Sequence, residues 1–139
     1  MNLPESTIVD LILHRYPHTF AIYLFGSHAE GSTHPNSDLD LAILLPHETA
    51  SDIAPWDWIE LTQAIEDCAG IDRVDLINLR QVDTVLQMEV IYRGNRIFCS
   101  NKQVADEYEI LTTALYQQLE LERRELVEDG IRSGRFYHD

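Results

Sequence analysis

Cationic side chains are scarce in this sequence: ten lysines and arginines stand against 24 aspartates and glutamates, a formal charge of -14 over 139 residues. A protein that grips a nucleic-acid backbone needs the opposite balance, because phosphates are held by an excess of cations. The composition therefore predicts no direct nucleic-acid partner and suits a basic protein surface instead. Cysteine is nearly missing as well. Cys68 and Cys99 are the only two, and their segments read as a helix end and a short apolar strand, which predicts buried thiols rather than a disulfide framework or a thiolate metal site. No apolar run reaches the roughly 20 residues of a membrane span. The opening Met1-Asn2-Leu3-Pro4-Glu5-Ser6 carries neither a basic nor a long apolar region of the kind that directs export. A soluble, cytoplasmic protein is expected. Internal repeats and low-complexity tracts are also missing, and the length suits one domain, placed at residues 1–130 with 131–139 as a tail.

Against these absences stands one dense stretch. Ala21-Ile22-Tyr23-Leu24-Phe25 is an apolar run rich in aromatic and branched residues and predicts a buried strand ending at Gly26. Gly26 permits backbone angles and a close ligand approach that a side chain would block, while Ser27 adds backbone and hydroxyl donors for phosphate oxygens. Ten residues later, Asp38-Leu39-Asp40-Leu41-Ala42-Ile43-Leu44-Leu45 alternates and then turns continuously apolar, the pattern of a central strand near one exposed end. Asp38 and Asp40 then share one face. Two carboxylates so close repel each other unless a cation lies between them. Oxygen-only ligand sets hold Mg2+, and paired metal ions clamp the attacking and leaving oxygens of a displacement at phosphorus. The stretch predicts two Mg2+ ions and phosphoryl or nucleotidyl transfer from a triphosphate.

Gly26-Ser27, ten intervening residues and Asp38-x-Asp40 resemble the signature of the polymerase-β-like nucleotidyltransferases. The fuller Gly26-Ser27-His28-Ala29-Glu30-Gly31, followed by Ser37-Asp38-Leu39-Asp40-Leu41, is similar to the minimal nucleotidyltransferase antitoxins, and Tyr92-Arg93-Gly94-Asn95-Arg96-Ile97-Phe98 extends the resemblance. It implies an α/β (α+β) polymerase-β-like nucleotidyltransferase fold: a mixed sheet flanked by helices, with a long C-terminal helix. It also implies a third acidic residue on the next sheet strand, which Asp75 matches, binding the catalytic ion and accepting a proton from the attacking hydroxyl. Asp38, Asp40 and Asp75 are then the catalytic and metal-binding residues, and Gly26 and Ser27 hold the nucleotide. The resemblance further implies ATP as donor, a tyrosine of a cognate HEPN ribonuclease toxin as acceptor, and a hetero-oligomer of the two proteins. Two other readings stay open: a binding module that neutralises the toxin without chemistry, and transfer to a small-molecule hydroxyl.

The remaining chain reads as support. Ile8, Leu11, Ile12 and Arg15 fall at helical spacing before Pro17, so residues 5–16 predict a packing helix. Residues 28–37 predict a short helical turn and a loop, and Pro46 to Pro55 a loop. Trp56 to Ala69 predicts a helix with Ile59, Ala64, Ile65 and Cys68 near one face, closed by Gly70. Trp56 and Trp58 could stack a base, but such aromatics more often fill a core or an interface. Residues 73–79 predict a third strand with Val74 and Leu76 opposite Asp75 and Ile77, residues 81–93 a helix through Val82, Val85, Leu86 and Val90, and residues 96–100 a short edge strand. From Lys102 to about Asp129, the stripe Val104, Tyr108, Leu111, Leu115, Leu119, Glu122 and Leu126 predicts a long amphipathic helix, with Glu120 and Arg124 spaced for an ion pair. Asp72 and Asp83 read as loop and helix-start charges. Arg73, Arg93 and Arg96 are second-tier candidates for neutralising a triphosphate, and His28 stands outside the core site.

Overall fold

Five consecutive buried residues, Ala21–Phe25, make strand β1, and cover on both of its faces explains why the run is unbroken by polar residues. The structure, a computed structural model, describes residues 3–26 and 38–133, the last two by their backbone alone. Strands β2 (Leu39–Leu44) and β4 (Asn95–Cys99) flank β1, both antiparallel to it. Strand β3 (Val74–Asn78) runs parallel to β2 on its far side, so the sheet order is β3-β2-β1-β4. A parallel pair needs a long crossover, and helices α2 (His47–Ser51) and α3 (Pro55–Ala69) supply it.

Alternation along the strands sorts the core into two layers. Ile22, Leu24, Leu41 and Ile43 face α3 and helix α1 (Glu5–Arg15), meeting Ile8, Ile12, Leu61 and Ile65. Ala21, Tyr23, Phe25, Ala42 and Leu44 face the other way, toward Val90 of helix α4 (Thr84–Arg93) and Ala105 of helix α5 (Lys102–Ser133). Local chemistry sets the helix ends. Pro55 occupies the first turn of α3, where its missing N–H is harmless. Gly70 ends α3 at φ 67°, a left-handed position with free space around it. The Asp83 carboxylate accepts the Leu86 N–H at 2.8 Å at the start of α4, confirming Asp83 as a helix-start charge.

The strands and long helices lie where sequence spacing predicts, with corrections at their margins. Residues 28–37, with their predicted turn and loop, lie outside the described residues. The predicted loop after β2 contains α2, because Ala50 is buried and its carbonyl accepts the Asn78 amide at 2.9 Å. Ile59 is exposed, since the buried stripe of α3 is Leu61, Ile65 and Ala69, and a residue two positions before Leu61 turns outward. Val85 is exposed as well, on the solvent side of α4. The cysteines are free, but Cys68 is only half-buried and Cys99 is exposed at an edge strand, so neither is the buried thiol expected. Glu120 lies 4.0 Å from Arg123, one helical turn away, and this replaces the predicted pairing with Arg124. Helix α5 continues to Ser133, taking in the first residues of the expected tail. Among the described residues no helix is long and apolar enough to cross a membrane.

Helix α5 is fastened to the sheet by a polar cluster. The Tyr23 hydroxyl donates to Glu109 Oε2 at 2.7 Å, and Arg96 of β4 donates to the same carboxylate and to Asp106 at 3.0 Å. Burial first, and then the bond to Glu109, push the Tyr23 phenol well above its ordinary pKa. A raised pKa means that the native state holds this proton more tightly than the unfolded chain does. The corresponding stability is full below the ordinary value of 10.0 and is lost as pH rises through the folded value. Tyr23→Phe is expected to cost about 1 kcal/mol in urea denaturation at neutral pH, as one lost hydrogen bond does. The deficit should shrink at alkaline pH, because phenylalanine has no proton to lose; a deficit constant with pH would contradict the cluster's role.

Candidate active site

The antiparallel register sets Phe25 opposite Asp40, and the parallel register on the other side sets Asp40 opposite Asp75. Residues in register on neighbouring strands point to one face, and here it is the α4 side. Asp38 precedes the first residue of β2, at the entrance to the strand rather than within it, with its side chain about half exposed. Three carboxylates thus gather at the end of the sheet where β1 stops and β2 starts. Arg73, two residues before Asp75, places Nε 3.4 Å from Asp75 Oδ1 and 3.8 Å from Asp38 Oδ2. Among the described residues, no three His, Cys, Asp or Glu side chains are gathered into a ready metal site. The fit to Mg2+ rests on the donor set, which is all hard carboxylate oxygen, and on a guanidinium already drawn to the same place by that negative charge.

Gly26 is indispensable to this corner. It sits at φ 74°, and a Cβ built there would lie 2.2 Å from Asp40 Oδ2. The glycine therefore gives the turn its left-handed angle and lets the carboxylate of Asp40 rest against the backbone. Ser27 and His28 lie outside the described residues.

On the other flank, β3 is a free sheet edge that α3 blocks with side chains. The Val74 N–H donates to Glu66 Oε2 at 3.1 Å, and the Trp58 indole N–H donates to the Leu76 carbonyl at 3.2 Å. Asp75 lies between these two anchors, so Glu66 and Trp58 hold its strand in register while occupying groups that would otherwise pair with another chain. Periodicity gave no sign of Glu66. Trp58 fills a core margin, packed against the Tyr16 ring at 5.8 Å, whereas Trp56 is exposed. An open hollow of about 590 Å³ wraps around this edge, between Asp40 and Asp75 on one side and Trp58 and Thr62 on the other. Of the arginines named from the sequence, Arg93 pairs with Glu89 at 3.0 Å, Arg96 belongs to the α5 cluster, and Arg73 lies beside Asp38 and Asp75. Gly26→Ala is expected to cost about 1–3 kcal/mol through backbone strain. It should also displace Asp40, so Mn2+ binding, followed by electron paramagnetic resonance, should weaken more than global stability explains.

Comparison with known proteins identifies the family. Residues 8–103 match the family described as polymerase beta, nucleotidyltransferase. The chain is 35% identical over 128 residues to the protein adenylyltransferase MntA of Shewanella oneidensis, covering 92% of this chain and 88% of that protein. A crystal structure of a toxin-antitoxin with AMP-PNP superposes with a TM-score of 0.78 at 32% identity, covering 93% of this chain and 99% of its counterpart. A structure of a tri-AMPylated Shewanella oneidensis HEPN toxin in complex with an MNT antitoxin gives a TM-score of 0.71 at 28% identity, over 91% and 95% of the two chains. The matched family spans most of the chain and the relatives match it in fold and length: the chain belongs to the polymerase-β nucleotidyltransferase family and, within it, to the minimal nucleotidyltransferases of the MntA kind.

Proposed function

We propose that this protein transfers AMP from ATP to a tyrosine hydroxyl of a cognate HEPN-type toxin, releasing pyrophosphate and neutralising the toxin in the cytoplasm. The observation that carries the reading is the register Phe25–Asp40–Asp75, which brings the glycine turn and the acidic residues to one end of the sheet. The relative that is an adenylyltransferase by name, and the related antitoxin found with an AMPylated toxin, supply the substrate class.

Asp38, Asp40 and Asp75 would hold Mg2+, two ions by the number of carboxylates. When bound, the metal neutralises charge on the triphosphate and lowers the pKa of the acceptor hydroxyl. The remaining steps fall to the chain itself. The Gly26-Ser27 turn holds the β- and γ-phosphates through backbone and hydroxyl donors. The acceptor oxygen attacks the α-phosphorus in line with pyrophosphate; one P–O bond forms as the other breaks, and Asp75 takes the hydroxyl proton. The product is a tyrosyl-AMP phosphodiester.

Helix α5 supports the protein partner. Every residue from Gln117 to Asp129 is exposed, including Leu119, Leu121, Leu126 and Val127. Apolar side chains in an acidic setting of this kind suit a basic surface with an apolar centre. The same face also favours a contribution from occlusion, since a modifying antitoxin must first dock.

Two measurements test the reading. Intact mass of the toxin after incubation with the protein, Mg2+ and ATP should rise in AMP-sized steps, and Asp38→Asn with Asp40→Asn should abolish the gain while leaving the circular dichroism spectrum unchanged. Transfer by that double variant would refute the metal assignment, and full neutralisation by it at equal dose would make occlusion the mechanism. Leu119→Asp with Leu126→Asp, both at exposed positions, should weaken toxin binding by about tenfold or more, as loss of a central apolar contact does, without lowering thermal stability. Unchanged affinity would remove α5 from the docking surface.

A further inference from the structure

We propose that Arg73 is an internal counter-ion of the active site: it occupies the charge position between Asp38 and Asp75 before metal arrives, and yields that position to the divalent ion when the nucleotide enters. The inference rests on the metal assignment above and adds a role for a residue that the nucleotidyltransferase signature does not contain.

Three features single this arginine out. Its Nε contacts to Asp75 and Asp38, 3.4 and 3.8 Å, are longer than the roughly 2.7–2.9 Å of a well-formed charge-assisted bond. The side chain is 69% exposed. It therefore balances two carboxylates without being locked to either. Arg15 shows the contrast: it grips Asp57 and Glu60 at 3.2 and 3.0 Å and fastens α1 to α3. Arg96 is more buried and joins β4 to α5 through Asp106 and Glu109.

The backbone of Arg73, unlike its side chain, is fixed. Its carbonyl accepts the Leu39 N–H at 3.1 Å, and Leu39 lies between Asp38 and Asp40. The guanidinium thus swings from a hinge that is hydrogen-bonded into the acidic stretch itself. With no divalent ion present, it relieves repulsion between Asp38 and Asp75. When a metal ion and triphosphate bind together, the ion takes over the carboxylates, and Arg73 turns to the phosphate oxygens, which accept its N–H donors. The consequence is weak binding of metal alone and joint loading of metal with nucleotide.

The test measures Mn2+ binding to the full-length, nucleotide-free protein by electron paramagnetic resonance. Arg73→Gln removes the competing charge and should bind Mn2+ about three- to tenfold more tightly than the unaltered protein, the scale set by two exposed ion pairs. Arg73→Lys keeps a cation there and should stay within about twofold of the unaltered protein. With ATP present, the advantage of Arg73→Gln should disappear. Thermal stability gives a second readout: Mg2+ should raise the melting temperature of Arg73→Gln by more than it raises that of the parent protein. Asp40→Asn identifies binding at this site by its loss. Equal or weaker Mn2+ binding by Arg73→Gln, or an Arg73→Lys variant that behaves like Arg73→Gln, overturns the counter-ion role while leaving AMP transfer intact as a reading. No Mn2+ uptake by any form, with or without ATP, overturns the metal assignment and the counter-ion together.

Discussion

Like-charge repulsion is the constraint around which this molecule is built. Asp38, Asp40 and Asp75 are brought to one end of one sheet, where like charges repel unless positive charge lies between them. The fold meets that cost by fixing the backbones. The Asp40 strand is paired on both sides, and its carboxylate rests against a glycine that could not carry a Cβ. The Asp75 strand is pinned on its open side by Glu66 and Trp58. What stays open is the charge balance itself, where on the proposed function a metal ion and a triphosphate would act.

The rigid surroundings have their own electrostatics. Around Tyr23, two acids, one arginine and a phenol are hydrogen-bonded into a partly buried cluster between β1, β4 and α5. Lys102 and then Arg96 hold Asp106 below the usual carboxylate range, while Tyr23 is held neutral. A satisfied network of this kind specifies one docking angle for the helix, since a partner left unpaired in a partly dry site would be costly. The acidic end of the sheet and this cluster thus use charge in opposite ways. One leaves its charge exchangeable so that ligands can enter, and the other neutralises it within the protein so that a helix cannot move.

Much of this was legible in the residues because local pattern and global role coincide there. Ala21–Phe25 is buried on both faces and reads so; Gly26 has the positive φ that its place before the acidic strand demands; Asp75 falls opposite Asp40 because strand alternation carries across a parallel pair. What could not be read depends on partners distant in sequence. Helix α2 forms where Pro and small polar residues suggest a loop, because Asn78, 28 residues away, bonds to its end. Ile59 and Val85 match the apolar period yet point to solvent, since which side of a helix is covered is decided by the neighbouring elements and not by the helix. Glu66 looks like any surface acid until β3 is placed beside it. Arg73 was named only as one of three candidate arginines; its place beside Asp38 and Asp75 became apparent once β3 was set against β2.

Helix α5 carries the same logic to the surface. Its early turns are held by Ala105, Thr112 and the Tyr23 cluster, but from Gln117 onward it has no buried residue up to Asp129. An isolated helical segment of that length is marginal in water, because helices gain most of their stability by packing an apolar face. This segment keeps its leucines, and among the described residues nothing buries them. A surface that is costly to leave bare and rimmed by carboxylates is one that a basic, apolar-centred partner stabilises on contact. The free energy of that contact then serves the chemistry, because a docked hydroxyl reaches the acidic corner at an effective concentration that free diffusion cannot match. On the proposed function, docking and transfer are in this sense one act, in which the helix supplies the contact and the acidic corner the chemistry.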